Sequence, residues 1–168
     1  MRRTALCTAG AGLFVAGLIV GSIGKPVVAQ QRDPGHRLNH VQITVANLDA
    51  TLAFYTKVMG FRVAFKLPTP ADGRPPTTFV QINRDTFLEV VQAAPNAATG
   101  ITHIGIQTDD LNATVAQVRA AGGTAPDPGP TNGIGSRLAT VFDPNGIRLE
   151  INEQPAGSVM RKAIDDWK

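Results

Sequence analysis

Two histidines and two glutamates stand out for their types and spacing. His40 and His103 lie 63 positions apart, and Glu89 and Glu150 lie 61 apart. Each pair sits in matching text. Leu38–Gly60, LNHVQITVANLDATLAFYTKVMG, is echoed by Ile101–Gly123, ITHIGIQTDDLNATVAQVRAAGG. Aligning His40 with His103 also aligns Ile43 with Ile106, Leu48 with Leu111, Thr51 with Thr114, Ala53 with Ala116 and Gly60 with Gly123. Phe87-Leu88-Glu89-Val90 is echoed by Arg148-Leu149-Glu150-Ile151. Shared strand and helix patterning would account for the apolar matches alone. Acid–base residues in register in both copies point to an internal duplication.

The elements that carry these residues follow from periodicity. His40–Val45 and Ile101–Gln107 alternate as strands, with Val41, Ile43, Ile104 and Ile106 on one face and His40, Gln42, His103 and Gly105 on the other. Asp109 and Asp110 offer an N-cap to a helix with an apolar stripe of Leu111, Val115 and Val118, ended by Gly122-Gly123. Asp49–Met59 is its counterpart in the first half, with a stripe of Leu52, Tyr55 and Met59. Strands are expected at Phe61–Leu67, Thr78–Asn83, Thr86–Gln92, Arg137–Phe142 and Ile147–Asn152, the last two joined by the turn Asp143-Pro144-Asn145-Gly146. Pro68–Thr77 and Gly123–Ser136 are rich in Pro and Gly and read as flaps, the second with room for one short strand. Ser158–Trp167 reads as a C-terminal helix that packs back through Met160, Ala163, Ile164 and Trp167.

Each half is therefore βαβββ, and the expected class is α+β, with two modules of mixed sheet set side by side as an open cup. The helix-facing sides of the key strands are apolar, whereas His40, Glu89, His103 and Glu150 share the opposite, concave face. Carboxylates on a partly enclosed face are costly unless paired or bound to a cation, and a divalent metal at the centre satisfies all four residues.

The chain opens with a basic Met1-Arg2-Arg3, an uncharged apolar run over Ala5–Gly24 and the small-residue sequence Val27-Val28-Ala29. That pattern is a secretory signal with cleavage expected after Ala29, placing the mature protein in the periplasm or outside the cell. An uncleaved membrane anchor is the rival reading, because the apolar run is about long enough to span a bilayer. Both Sec and twin-arginine export stay open. Arg2, Arg3 and Lys25 account for the whole formal charge of +3, so the basic balance belongs to the leader and gives no argument for nucleic acid. Cys7, the single cysteine, also lies there, which removes thiol chemistry from the mature chain. The expected organisation is a leader (1–29), a polar lead-in (30–37) with a solvated His36, a domain (38–155) with modules at 38–93 and 101–153, and the terminal helix (156–168).

LNHVQITVANLDATLAFYTKVMGF, THIGIQTDDLNATVAQVRAAGG and FDPNGIRLEINE resemble the vicinal oxygen chelate superfamily, over roughly His40 to Glu153. That group includes glyoxalase I, methylmalonyl-CoA epimerase, extradiol dioxygenases and bleomycin and fosfomycin resistance proteins. The resemblance implies metal ligands on the first and last strand of each half, which fall on His40, Glu89, His103 and Glu150. Two imidazoles and two carboxylates admit Ni, Co, Zn, Mn or Fe and leave positions for a small substrate with adjacent oxygens. The implied chemistry is Lewis-acid-assisted proton transfer, a lyase or isomerase reaction, with Glu150 as first choice of base and Glu89 as second. Two alternatives stand beside it. An extradiol-type dioxygenase would need only three ligands, and the fourth ligand, a second carboxylate, speaks against it. A metal-free module that binds a small molecule would need none. Glyoxalase I's glutathione-recognition positions fall on Thr44 and Ala93, which do not match. The resemblance leaves open whether the cup closes within one chain or across a homodimer.

Overall fold

Each half opens on a strand that runs into a capped helix. β1, Arg37–Val45, leads to Asn47, whose side-chain oxygen accepts the Ala50 amide hydrogen at 2.9 Å and starts α1, Leu48–Ala53. β5, Gly100–Gln107, leads to Asp110, which caps α2, Leu111–Ala120, through the Ala113 amide at 2.9 Å. Asn47 and Asp110 occupy equivalent positions, so the duplication extends to the caps. The first helix widens into a π-helical turn over Phe54–Val58, and Gly60 ends it at φ +74°. The computed structural model describes residues 35–168; the expected leader and residues 30–34 lie outside them.

The remaining strands are β2 (Arg62–Lys66), β3 (Thr78–Gln81), β4 (Phe87–Gln92), β6 (Arg137–Phe142) and β7 (Arg148–Glu153), followed by α3 (Val159–Asp165). All seven strands form one open sheet in the order β2-β3-β4-β1-β5-β7-β6. Within each half the first and last strands pair in parallel, with Gln42 beside Glu89 and Gly105 beside Glu150. The two halves meet along the antiparallel β1–β5 pair of the same chain. The mixed α+β architecture is the expected one.

The second half departs from βαβββ: among the described residues it has three strands, not four. Pro126, Pro128 and Pro130 punctuate Gly123–Ser136 and have no N–H to give a ladder. The segment makes one ladder-like bond, from Gly129 N–H to the Leu138 carbonyl at 3.1 Å. Arg119 holds it down through the Ala125 carbonyl at 2.8 Å and Asp127 at 2.9 Å. It is a fastened strip beside β6 and not the free flap its composition suggests. His36 is exposed, as expected, and its Nε2 meets the Thr114 hydroxyl at 3.2 Å.

Alternation assigns the two faces of the sheet. On one face α1 covers Val80 and Val90 with Leu48 and Leu52, and α2 covers Ala139, Val141 and Ile151 with Leu111 and Val115. Full burial of a side chain such as Leu111 is worth roughly 1.5–3 kcal/mol. The other face carries the polar residues. Its first-half side is closed by α3, whose Met160 and Ile164 pack on Phe79 and Phe87. Ser158 caps α3, and Arg62 holds it by donating to the Ala163 carbonyl and lying over the Trp167 ring.

Candidate metal centre

Strand register sets the polar face out in two neighbouring rows across the sheet. One row runs Phe79, Glu89, Gln42, His103. The next runs Phe87, His40, Gly105, Glu150, Thr140. Each row supplies one histidine and one glutamate, and the side chains converge. His40 Nε2 and His103 Nε2 are 2.9 Å apart. Glu89 Oε2 lies 3.4 Å from both nitrogens, and Glu150 Oε2 lies 3.3 Å from His40 and 3.6 Å from His103. All four candidate ligands named from the sequence therefore come together, each offering a donor atom within 4.8 Å of the others.

These distances fit a metal ion. Donors placed ~2.0–2.2 Å from a common ion at tetrahedral or octahedral angles are about 2.8–3.6 Å from their neighbours. Two imidazole nitrogens at 2.9 Å need a proton or a cation between them, because two lone pairs repel. His40 is also turned the right way round. Its Nδ1 donates to Asn39 Oδ1 at 2.8 Å, which leaves the Nε2 lone pair facing the centre. Asn39 is fixed in turn by donating to Gln107 Oε1 at 3.1 Å. His103 lacks such a partner; its buried Nδ1 has no hydrogen bond.

Bulges account for the difference between the two histidines. The β1–β5 register slips between Leu38 and His40 and again between Gln42 and Ile43, leaving Asn39 and Thr102 as the extra residues. They are equivalent positions in the two copies. Asn39 orients its neighbouring histidine. Thr102 instead donates its hydroxyl to Gln42 Oε1, and Gln42 Nε2 donates to Glu89 Oε1 at 2.8 Å. Glu89 is thereby tethered. Glu150 has only Arg148 within reach of its other oxygen, at 3.5 Å. Gly105, the counterpart of Gln42, provides room: a Cβ there would collide with the His40 ring.

The electrostatics bind the cluster together even without an ion. Burial alone would lower the His103 pKa, but hydrogen bonds and charge from Glu150 and Glu89 outweigh it and push it up to about 9. Burial alone would raise Glu150, yet its hydrogen bonds to His103 and His40, and their charge, hold it far below the usual carboxylate range. The metal-free centre thus retains a proton among two carboxylates, and a cation bound there would replace that proton.

A family model described as the Glyoxalase/Bleomycin resistance protein/Dioxygenase superfamily matches residues 37–151. The chain belongs to this superfamily. Lactoylglutathione lyase GLX1 of Arabidopsis thaliana is 35% identical over 123 residues, which is 68% of this chain and 43% of that protein. The chain thus spans less than half the length of this relative. A Vibrio cholerae serotype O1 protein named "Probable lactoylglutathione lyase" is 30% identical over 69% of this chain and 89% of its own length. Among solved structures, a methylmalonyl-CoA epimerase in complex with methylmalonyl-CoA and NH4+ aligns with a TM-score of 0.61. Its identity is 23%, over 73% of this chain and 96% of the other, so the likeness is one of fold.

For a superfamily member, sequence reading found the donors and missed their supports. Asn39, Gln42, Thr102 and Gly105 hold or make room for the ligands. The one visible trace was the alternation that put Gln42 and Gly105 on the histidine face.

Proposed function

We propose that this protein is a metal-dependent lyase or isomerase of the glyoxalase I type, acting on a small substrate with adjacent oxygens. The convergence of His40, Glu89, His103 and Glu150 on one point carries the reading. The lactoylglutathione lyase names of its relatives support the reaction class. The four residues would hold a divalent ion, which supplies Lewis acidity to a substrate carbonyl. Glu150 takes the proton from the carbon beside that carbonyl and returns it, because it is the carboxylate without a neutral hydrogen-bond tether. Glu89, held by Gln42, stays in place as a ligand. Four donors favour this over oxygen chemistry, for which two histidines and one carboxylate suffice. We further propose that residues 1–29 are a cleaved leader and that the protein works outside the cytoplasm; N-terminal sequencing of the exported protein starting at Gln30 would bear this out.

The test is exchange of the transferable proton in D2O, followed by NMR over a panel of 2-oxo and 2-hydroxy carbonyl compounds that includes the glutathione hemithioacetal of methylglyoxal. Metal-loaded protein should exchange at least one member. Glu150→Gln should lower that rate by at least about 100-fold, in line with loss of a general base. Oxygen consumption with a catechol, and full activity in Glu89→Gln, would replace this reading with the dioxygenase.

A further inference from the structure

The two halves of the polar face are equivalent by duplication but differ in what covers them. Phe87, in the first half, is fully buried under α3. Its counterpart in the second half is Arg148, 61 positions on, with a side chain 41% exposed. Among the described residues, no helix equivalent to α3 packs there. Arg148 extends the row beyond His103, next to Phe142, which is its register partner on β6 and is 65% exposed. Arg148 also lines a cavity of about 460 Å3 together with His103, Ile101 and Ile147. Ile101 and Ile147 are exposed at the rim of this cavity.

Another cation near this face is already committed. Arg62 is bonded to Gln81 and Ala163 and serves α3. Arg148 has only the long 3.5 Å approach to Glu150 Oε1, and Glu150 is already satisfied by two histidines. With two carboxylates facing a divalent ion, Arg148 leaves this side of the centre with surplus positive charge.

We infer that Arg148 is an anion subsite: the substrate of this centre carries a carboxylate, or an equivalent anion, a few bonds from its paired oxygens. The guanidinium receives that anion in a bidentate pair, while Phe142, its register partner, flanks the carbon chain between. Substrate enters over the second half, because α3 closes the first. This inference rests on the metal reading of the four-residue centre.

Two hydroxamates of matched length separate the possibilities. Both present adjacent oxygens to a metal; butyrohydroxamate ends in a methyl group and succinohydroxamate in a carboxylate. Their affinities for the full Co(II)-loaded protein can be read from the cobalt absorption spectrum and by calorimetry. Succinohydroxamate should bind at least about ten-fold more tightly. Arg148→Met should abolish that preference, and Arg148→Lys should restore part of it. Equal binding of the two by the native protein would overturn the anion subsite, and so would a preference that survives Arg148→Met. If neither hydroxamate perturbs the cobalt spectrum, the metal reading itself falls.

Discussion

At Gly105 the His40 ring leaves space for a hydrogen and no more. Gly105→Ala should push the imidazole off the centre without disturbing the two apolar cores under α1 and α2, which lie on the other face of the sheet. Metal content after dialysis should fall to background, while circular dichroism keeps the native strand signal. Gln42 acts more gently, through Glu89 alone. Gln42→Leu removes the donor and keeps the bulk, so Glu89 loses its tether and metal affinity should drop by about 10–100-fold. Competition against a fluorescent chelator would measure it. The same variant should leave His40 unaffected, because Asn39 orients that ring from the other side. Both glutamates were legible as candidate ligands in the sequence. Their inequality was not, because it depends on which neighbour each bulged residue reaches across β1 and β5.

At the scale of elements, the sheet and α3 have separable tasks. The sheet fixes the four donors through backbone register, whereas α3 fills the first-half side of the same face with Met160 and Ile164. Ile164 is 1% exposed and packs among Phe79 and Phe87. Ile164→Ala should cost about 2–4 kcal/mol of stability in urea unfolding. Metal affinity in the same variant should stay within a few-fold, since no donor sits on α3. Periodicity revealed the helices and strands because each has one face in a core. The number of strands in the second half was not legible, because prolines and a single backbone bond decide it.

For the whole molecule, metal and proton compete for one place. In the metal-free protein His103 is raised from 6.5 to about 9, so its contribution to stability is full below pH 6.5 and is lost as pH rises through about 9. Glu150 is lowered from 4.5, so its contribution is full above pH 4.5 and is lost on acidification below that. The metal-free protein should therefore be most stable between pH 4.5 and 6.5. Metal binding displaces the His103 proton, so apparent affinity should rise about ten-fold per pH unit up to about pH 9 and then level off. Thermal unfolding with and without a chelator, across pH, checks both: at 100 times Kd the metal should add about 2.7 kcal/mol.

The sequence by itself determined the duplicated plan, the apolar faces and the identity of the four donors. Those features are written in residue type and period: a strand alternates, a cap needs a short polar side chain, and a repeated His and Glu keep their spacing through the fold. Only the tertiary structure decided that both halves join within one chain along β1 and β5. It alone decided that two equivalent bulged residues serve different ligands, and that α3 closes one side of the centre while Arg148 stands on the other. Each of these depends on which residues of distant segments face one another, and a duplication makes the candidates locally alike. Register and packing, which act between segments, are what tell them apart.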